Sequence, residues 1–515
     1  MTKKLHIQIL VLFLIIVNCT IGQSTLSVVN GGKMNISSGT SVQSQNMDIG
    51  IGSQLVSTGD LTVSGTLAND AGTFGLVIKS DVNGTGSLLH NSANVLATME
   101  QCLASERWHL VSSPMANATI ETYLDIYLKK WNETDSTWTY LTQPISMPMN
   151  ASEGYSAWAS DNLTGTVTVN YEGNLNNGDY PLSLAYTPVS NATGWNLLGN
   201  PYPSAIVWNL DNTWDRMDVG GWAVVYDNAT FKGWNPYLTG SDRSYNGKTD
   251  GIIPATQGFW VRATSALSGL TIPQSQRTHN NQPFYKDTGE SNYMSLCLKA
   301  SANGYSDEAA IIFMDGASNG FDALYDLKKM YNVDEAPNIS SKIEGREYSV
   351  NVLPVGFLDA VESPVIPVNF KLGIEGQCTI TVSGTESSDL SVPIYLEDLQ
   401  DDVMTDLRAN ENYVFSVSPL DDPSRFLLHF GEPLDIEEPG NSNTIHIYSH
   451  GALVYIRLAN DDRGEAAIFD MAGKKVCDMK LTDKLTKKSL LQTGYFVVKV
   501  WTDGGVSIQK VFIKS

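Results

Sequence analysis

The chain has 515 residues and a formal net charge of −22, with 55 Asp and Glu against 33 Lys and Arg. At about 100–200 residues per domain, this length predicts three to five domains. The acidic balance repels phosphate backbones, which excludes nucleic acid as a partner, and it disfavours charge-driven docking on anionic bilayers. Only 17% of the residues are charged. The polar surface must therefore come from Asn, Ser, Thr and Gly, as is common in extracellular β-proteins.

Residues 1–22 have the pattern of a secretory signal peptide, with lysines ahead of an apolar run over residues 9–17. That run is too short to span a bilayer. We expect cleavage between Gly22 and Gln23. The alternative is a lipoprotein signal acylated at Cys19, which the bulky polar residue before it disfavours. No later segment approaches about 20 apolar residues, so we expect no transmembrane segment in the mature chain.

Residues 23–100 are low in charge and carry short alternating runs between glycine-centred turns. In the run that begins at Asp60, Leu61 and Val63 are expected to point inward. Short rungs joined by polar turns predict a β-rich, solenoid-like segment. The loop that begins at Asp81 resembles a calcium loop but lacks enough acidic ligands, so we expect a plain turn.

Residues 101–283 contain ten of the eleven Trp residues. Trp108-His-Leu-Val in the first half resembles Trp195-Asn-Leu-Leu in the second. Glu153-Gly-Tyr likewise resembles Gln257-Gly-Phe. The same landmarks in the same order predict a duplicated β-domain.

The Trp-rich region is also the best candidate for ligand binding, because flat aromatic faces suit sugar rings. Trp residues set in apolar strands are expected in the core: Trp108, Trp195 and Trp260. Those in polar, turn-rich stretches are expected to be exposed and are the candidate ligand-binding residues: Trp131, Trp138, Trp214 and Trp234. For this second set we favour packing in the core or in loops, and sugar binding is the alternative role.

Residues 284–434 show several alternating strands with turn signals between them, which predicts an antiparallel β-sandwich. Residues 321–330 have helical spacing and predict one short helix. Cys297 and Cys378 lie within this unit and could pair; we favour buried free thiols. The overall prediction is an all-β, multidomain chain.

Two motifs in this region could carry chemistry. Gly316-Ala-Ser318-Asn-Gly320 fits the nucleophile elbow of hydrolases, but an elbow needs a mainly parallel sheet flanked by helices, so we expect a polar loop. Glu397 and Asp398 are adjacent acids, which on a strand point to opposite faces. A glycosidase needs two carboxyl groups that face each other across a cleft. We therefore expect no enzyme, no cofactor and no metal site.

Residues 435–444 are acidic and then rich in Pro, Gly and Asn, which predicts a linker. Residues 445–515 contain short alternating strands, enough for one small C-terminal β-sandwich.

The last segment resembles the C-terminal sorting domain of substrates of the type IX secretion system of Bacteroidetes. The resemblance rests on residues 467–476, 491–500 and 510–514. Its motif residues are Gly473, Lys474, Gly494, Tyr495, Lys510 and Lys514. The family usually opens with a Pro-Asn-Pro turn, and Tyr448-Ser-His-Gly451 stands in its place. Two further stretches, around residues 194–204 and 321–430, resemble modules of secreted Bacteroidetes surface proteins.

The resemblance implies export across the outer membrane, with the type IX machinery as a partner and the cell surface or the medium as the destination. We expect a structural or adhesive protein that contacts surface glycans or other surface proteins. The alternative is a glycan-binding module that captures polysaccharide through the Trp-rich region.

Overall fold

The computed structural model describes residues 24–513 with gaps at 160–164, 189–193, 228, 249, 280–293, 344, 359–363, 386–391, 432–444, 451, 459–462 and 504. The predicted signal peptide with Gly22 and Gln23, the acylation candidate Cys19, the predicted linker and Lys514 all lie outside the described residues. The described chain is built of β-strands, and the all-β prediction is confirmed. It also contains five 3-10 turns: Thr73–Gly75, Ile120–Tyr123, Gly240–Arg243, Gln274–Gln276 and Val355–Phe357. Among these residues, no helix has the length and apolarity needed to cross a membrane.

The N-terminal segment is a small β-solenoid of stacked parallel strands. Its strands are β1 (Thr25–Val28), β2 (Lys33–Ile36), β3 (Ser41–Ser44), β4 (Asn46–Ile49), β5 (Gln54–Ser57), β6 (Asp60–Val63), β7 (Leu67–Asn69), β8 (Leu76–Ile78), β9 (Ser80–Asp81), β10 (Gly84–Thr85), β11 (Ser87–His90) and β12 (Leu96–Ala104). Three parallel ladders form: β1-β4-β7, β2-β5-β8-β12 and β3-β6-β11. Leu61 and Val63 are each 1% exposed, so they point inward as predicted. β9 and β10 form a tight hairpin in which Asn83 N–H donates to Asp81 Oδ1 at 2.7 Å, a plain turn as expected.

β12 joins the solenoid to the Trp-rich unit. It pairs in parallel with β8 and antiparallel with β17 (Thr166–Asn174). The strand crosses the predicted boundary between residues 100 and 101, and one hydrophobic core continues from Val28 to Leu175. The solenoid and the first Trp-rich copy therefore share a core.

The Trp-rich unit consists of two copies with the same strand order. Its other strands are β13 (Trp108–Val111), β14 (Tyr127–Asn132), β15 (Thr137–Tyr140), β16 (Tyr155–Trp158), β18 (Tyr180–Ser183), β19 (Trp195–Gly199), β20 (Ala205–Val207), β21 (Arg216–Met217), β22 (Ala223–Asp227), β23 (Thr230–Trp234), β24 (Ser244–Tyr245), β25 (Ile252–Ile253), β26 (Gly258–Arg262), β27 (Gly269–Ile272) and β28 (Arg277–Thr278). The first copy has the order β13-β16-β14-β15, and the second has β19-β26-β22-β23 with β24 added. In the first copy, β13, which begins with Trp, pairs antiparallel with β16. In the second copy, β19, which also begins with Trp, pairs antiparallel with β26.

The two copies meet through a reciprocal pair of β-bridges. Val111 of the first copy pairs with Gln257 of the second, and Glu153 of the first pairs with Leu198 of the second. In the alignment of the copies, Val111 corresponds to Leu198 and Glu153 to Gln257. The contact is therefore self-complementary, as in a two-fold dimer, but it lies within one chain.

Glycine makes this close approach possible. A Cβ added at Gly154 would lie 2.5 Å from the backbone oxygen of Leu198. A Cβ at its counterpart Gly258 would lie 3.1 Å from the backbone nitrogen of Val111. A side chain at Gly154 would push the two sheets apart.

The next unit is a β-sandwich made from one folded sheet. Its strands are β29 (Met294–Ala302), β30 (Tyr305–Phe313), β31 (Leu327–Lys328), β32 (Asn338–Ile343), β33 (Arg346–Leu353), β34 (Val365–Lys371), β35 (Gly376–Ser383), β36 (Ile394–Asp398), β37 (Val403–Asp406), β38 (Asn412–Val417) and β39 (Phe426–Phe430). The order is β37-β36-β39-β34-β32-β33-β30-β29-β35-β38, with β31 paired to β33. All pairs are antiparallel except β30 with β33. The ring centres of Phe415 on the end strand β38 and Phe426 on β39, the third strand from the other end, are 5.0 Å apart. The two halves of the sheet therefore close over one core.

The predicted helix over residues 321–330 is wrong, because this segment forms turns and then β31. The Asp322 oxygen accepts from the amides of Tyr325 and Asp326 within the segment, but the next carbonyl groups bind the second Trp-rich copy. Trp222 Nε1–H donates to the oxygen of Tyr325 at 2.8 Å, and Asn235 Nδ2–H donates to the oxygen of Leu324 at 2.8 Å. Tertiary hydrogen bonds override the local helical spacing.

The two central cysteines are free thiols on opposite faces of the sandwich sheet. Cys297 on β29 lies directly opposite Ser383 on β35 in the ladder, so the two side chains share a face. Cys378 lies on β35 an odd number of residues from Ser383, and its side chain therefore points to the other face, into the core. Alternate residues of a strand face opposite sides, so these thiols cannot bond without rearrangement of the sheet. Burial raises the pKa of Cys378 to about 12.

The C-terminal unit is a small β-sandwich with its own core. Its strands are β40 (His446–His450), β41 (Leu453–Arg457), β42 (Gly464–Asp470), β43 (Lys475–Leu481), β44 (Leu485–Ser489), β45 (Gly494–Thr502) and β46 (Gly505–Ile513). One sheet has the order β40-β41-β44 and the other β43-β42-β45-β46. Val454, Ile468 and Val498 lie between them, each 0% exposed.

Candidate functional site

Two of the candidate ligand-binding residues lie where the Trp-rich copies meet. The rings of Trp131 and Trp138 are 5.3 Å apart, and both pack edge-to-face on buried Trp260, at 5.3 and 5.8 Å. Trp131 Nε1–H donates to the backbone oxygen of Trp195 at 2.9 Å. Both side chains are half-buried, and their contacts stabilise the packing of one copy on the other.

The other two candidates lie in the core of the second copy. Trp214 is 4% exposed, so the expectation that it is exposed is wrong. Its ring packs 4.9 Å from Trp208, and its Nε1–H donates to the oxygen of Val207 at 2.9 Å. Trp234 is half-buried against the same core. The four predicted residues therefore do not form one exposed binding face.

Of the three Trp residues expected in the core, two are buried and one is half-buried. Trp195 and Trp260 are 5% and 3% exposed, as predicted. Trp108 is half-buried and lies outside every hydrophobic core of the described residues. The apolar strand around Trp108 suggested burial, but the face on which Trp108 lies is partly open.

The described residues contain no constellation that matches the catalytic motifs considered above. Ser318 is exposed in a loop, where its Oγ accepts a hydrogen bond from Gly320 N–H at 3.2 Å. Glu397 and Asp398 lie on β36 and point to opposite faces, as predicted. Within the described ranges, no three His, Cys, Asp or Glu side chains are grouped so that they could hold a metal ion.

The motif of the C-terminal unit forms an exposed hairpin turn between β42 and β43. Asp470 Oδ1 accepts hydrogen bonds from the backbone N–H groups of Ala472 and Lys474, each at 2.9 Å. Gly473 has a φ of 80°, a conformation that glycine adopts without strain. The turn projects Lys474 into solvent.

The second half of the motif lies on the outer face of the same sheet. Gly494 opens β45 with a φ of 153°. Tyr495 is 48% exposed, and Lys510 on the neighbouring strand places its Nζ 4.2 Å from the centre of the Tyr495 ring. This face also exposes Trp501 and Ile508, at 36% and 58%.

A buried charged cluster joins the sandwich to the C-terminal unit. The side chain of Glu397 is fully buried. Its Oε1 accepts hydrogen bonds from Arg457 Nη2–H at 2.6 Å and from Tyr448 O–H at 2.7 Å. His429 Nε2 lies 2.8 Å from Oε2. Arg457 also pairs through Nη1 with Asp402 Oδ1 at 2.5 Å. We call these five residues the junction cluster.

The electrostatics of the junction cluster favour docking over catalysis. Burial alone would raise the pKa of Glu397, but the hydrogen bonds and charges of His429 and Arg457 lower it below its usual value. The carboxylate is surrounded by donors, and so it is poorly suited to act as a base. Burial beside this carboxylate raises the pKa of Tyr448 well above its usual range.

Sequence reasoning did not find the junction cluster. Glu397 was considered only as one of two adjacent acids. Its partners Tyr448 and Arg457 are 51 and 60 residues away along the chain. One signal was present: Tyr448 begins the segment that departs from the Pro-Asn-Pro turn of the sorting-domain family.

The charge of the chain is divided at the same junction. Residues 445–515 contain 11 Lys and Arg against 7 Asp and Glu, a net charge of +4 (11 − 7). Since the whole chain has a net charge of −22, residues 1–444 have a net charge of −26 (−22 − 4). A second ion pair crosses the junction, with Lys484 Nζ of the C-terminal unit 3.3 Å from Asp402 Oδ2 of the sandwich. The positive charge again lies on the C-terminal unit and the negative charge on the sandwich.

A family model described as "Domain of unknown function (DUF8693)" matches residues 13–430. The match takes in the solenoid, the Trp-rich copies and the sandwich, and it ends at the last residue of β39. The C-terminal unit lies beyond it. Among curated proteins, none matches this chain.

Proposed function

Since the chain belongs to the DUF8693 family, whose description names no function, we propose from its own residues that it is an exported structural or adhesive protein. In this proposal the C-terminal unit directs the body across the outer membrane through the type IX machinery. The body is then displayed on the cell surface or released into the medium.

The observation that carries the proposal is the separate hydrophobic core of the C-terminal unit. Residues 445–513 have their own core, separate from the core of the sandwich. The residues that resemble the sorting motif lie on its surface, at the Gly473 turn and beside Tyr495 and Lys510. A signal that a secretion machine reads must be accessible in this way.

A structural or adhesive role for the body is supported by its construction. One core runs from the solenoid into the first Trp-rich copy, and another joins the second copy to the sandwich. At the second boundary, buried Asp307 pairs with Lys329 and accepts a hydrogen bond from Tyr245 O–H at 2.8 Å. Shared cores and buried ion pairs make a stiff body, which suits a displayed protein.

Protease treatment of intact cells tests this proposal. The full chain is expressed in a Bacteroidetes host and in an isogenic strain that lacks the type IX channel. We expect cleavage on intact wild-type cells or release into the medium, and protection in the channel-deficient strain. A periplasmic protein serves as the lysis control. Equal exposure in both strains, or protection in both, would contradict the proposal.

A further inference from the structure

One face of the first Trp-rich copy carries a row of aromatic side chains across adjacent strands. Trp108 on β13 lies directly opposite Trp158 on β16, and Trp158 lies directly opposite Tyr127 on β14. Residues directly opposite in an antiparallel ladder share a face. At about 4.8 Å between strands, the row spans roughly 10 Å. Tyr140 lies on the same face, opposite Lys129. We call Trp108, Trp158, Tyr127 and Tyr140 the aromatic strip.

The aromatic strip includes the most exposed aromatic rings of its face. Tyr127 and Tyr140 are 61% and 56% exposed, and the two Trp side chains are half-buried. None of the four packs in or against a hydrophobic core of the described residues. Farther along the same face, Leu110 is buried beneath the second copy. The strip therefore begins where the covering copy ends.

A lysine lies within the aromatic strip. The Nζ of Lys129 is 3.4 Å from the centre of the Trp108 ring and 4.7 Å from that of Trp138. Burial lowers the pKa of Lys129 to about 8, so its ammonium is mostly charged at neutral pH. Within the described residues it has no carboxylate partner. Its neighbour Lys130 lies on the opposite face and pairs with Glu153.

We propose that the aromatic strip binds a glycan that carries a carboxylated sugar, such as a uronic acid. The flat faces of the sugar rings stack on the exposed rings of Tyr127 and Tyr140. The sugar carboxylate pairs with Lys129, whose Nζ already lies over the face of Trp108. Charge complementarity selects the acidic sugar, because a partly desolvated ammonium without a counter-ion favours an anionic ligand. The aromatic surface supplies the stacking.

The net charge of the whole chain further restricts the classes of acidic ligand that the strip can bind. A protein of net charge −22 repels dense polyanions and anionic bilayers at long range. At physiological salt this repulsion is screened beyond about 8 Å, so single carboxylates spaced along a glycan are tolerated. Of the four Trp residues predicted from the sequence, Trp138 borders this site through its contact with Lys129. The site does not depend on the export proposal.

Titration calorimetry with the full chain tests the site. The probes are hexasaccharides of hyaluronan, alginate and polygalacturonate, with chitohexaose as the neutral counterpart. Among the acidic probes, hyaluronan carries a carboxylate on only every second sugar, so we expect it to bind more tightly than chitohexaose. Lys129→Gln should weaken that binding by about tenfold or more, because it removes a charge-assisted hydrogen bond. Lys130→Gln is the matched control and should leave the affinity unchanged.

The aromatic part is tested by the double variant Tyr127→Ala/Tyr140→Ala, whose side chains are exposed and contribute little to folding. It should also weaken binding, whereas Phe74→Ala, an equally exposed aromatic on the solenoid, should not. Unchanged thermal unfolding of each variant shows that the fold is intact. The proposal is overturned if no acidic probe binds, if chitohexaose binds equally well, or if Lys129→Gln has no effect. It is also overturned if light scattering shows a dimer that Tyr127→Ala/Tyr140→Ala dissociates.

Discussion

The substitution Glu397→Gln tests whether the junction cluster holds the C-terminal unit on the sandwich. It keeps the size of the side chain and removes the charge. Arg457 would lose the negative charge of its fully buried partner. The Gln amide has a single acceptor oxygen, so it could not accept at both positions that Glu397 offers, Oε1 and Oε2. The structure predicts weaker docking of the C-terminal unit while both cores stay intact.

The size of the effect follows from burial. Breaking a fully buried ion pair by removing one partner costs about 3–5 kcal/mol, because the remaining charge is uncompensated. Arg457 keeps Asp402, so we expect about 3 kcal/mol, at the lower end of that range. This corresponds to a change of about a hundredfold in the docking equilibrium. Tyr448→Phe removes one hydrogen bond to a charged group and should cost about 2 kcal/mol.

Hydrogen exchange measured by mass spectrometry reports this opening. Peptides that contain β36 and β40 should exchange faster in Glu397→Gln by up to about a hundredfold, with smaller changes in β30 of the sandwich. Lys475→Gln is the control, because the Lys475–Asp478 pair is more than half exposed on both sides and is worth under about 1 kcal/mol. Unchanged exchange at β36 and β40 in Glu397→Gln would refute the docking role of the cluster.

Three further predictions concern the body of the protein. His90 is 1% exposed, and burial together with nearby Arg277 lowers its pKa to about 4. The unfolded chain thus binds more protons than the folded one between pH 6.5 and 4, and about 3 kcal/mol of stability should be lost as the pH falls through this window. In urea titrations at pH 7 and pH 4, His90→Leu should lose less stability than wild type; an equal loss would contradict the assignment. Tyr245→Phe removes a hydrogen bond to buried Asp307 and should lower the free energy of unfolding by about 2 kcal/mol, which denaturant titration measures; an effect near zero would count against it. Gly154→Ala forces a Cβ to 2.5 Å from a backbone oxygen of the second copy and should lower the melting temperature by several degrees, and the account of the interface fails if it melts like wild type.

Local sequence patterns predicted the all-β class and several of the strands. Alternation placed Leu61 and Val63 inside the solenoid, because the side-chain period of a strand is two residues. The repeated landmarks at Trp108 and Trp195 located strands that occupy equivalent positions in the two copies. These features depend on neighbours in the chain, and they can be seen in a single sequence.

Features that depend on distant partners were not predictable in this way. Residues 321–330 have helical spacing, yet their carbonyls accept hydrogen bonds from Trp222 and Asn235 of another unit. Trp214 lies in a polar stretch but is covered by Trp208 and the rest of its core. Glu397 gave no sign of its partners, since Tyr448 and Arg457 come after the predicted linker. Burial and charge pairing at the junction arise only when the units are assembled.

Cell fractionation with a truncated chain tests the central claim most directly. The chain that ends at residue 444 is compared with the full chain in a Bacteroidetes host with an active type IX system. If the C-terminal unit directs export, the full chain appears on the cell surface or in the medium, and the truncated chain accumulates in the periplasm as a folded protein. Export of the truncated chain at the level of the full chain would contradict the account.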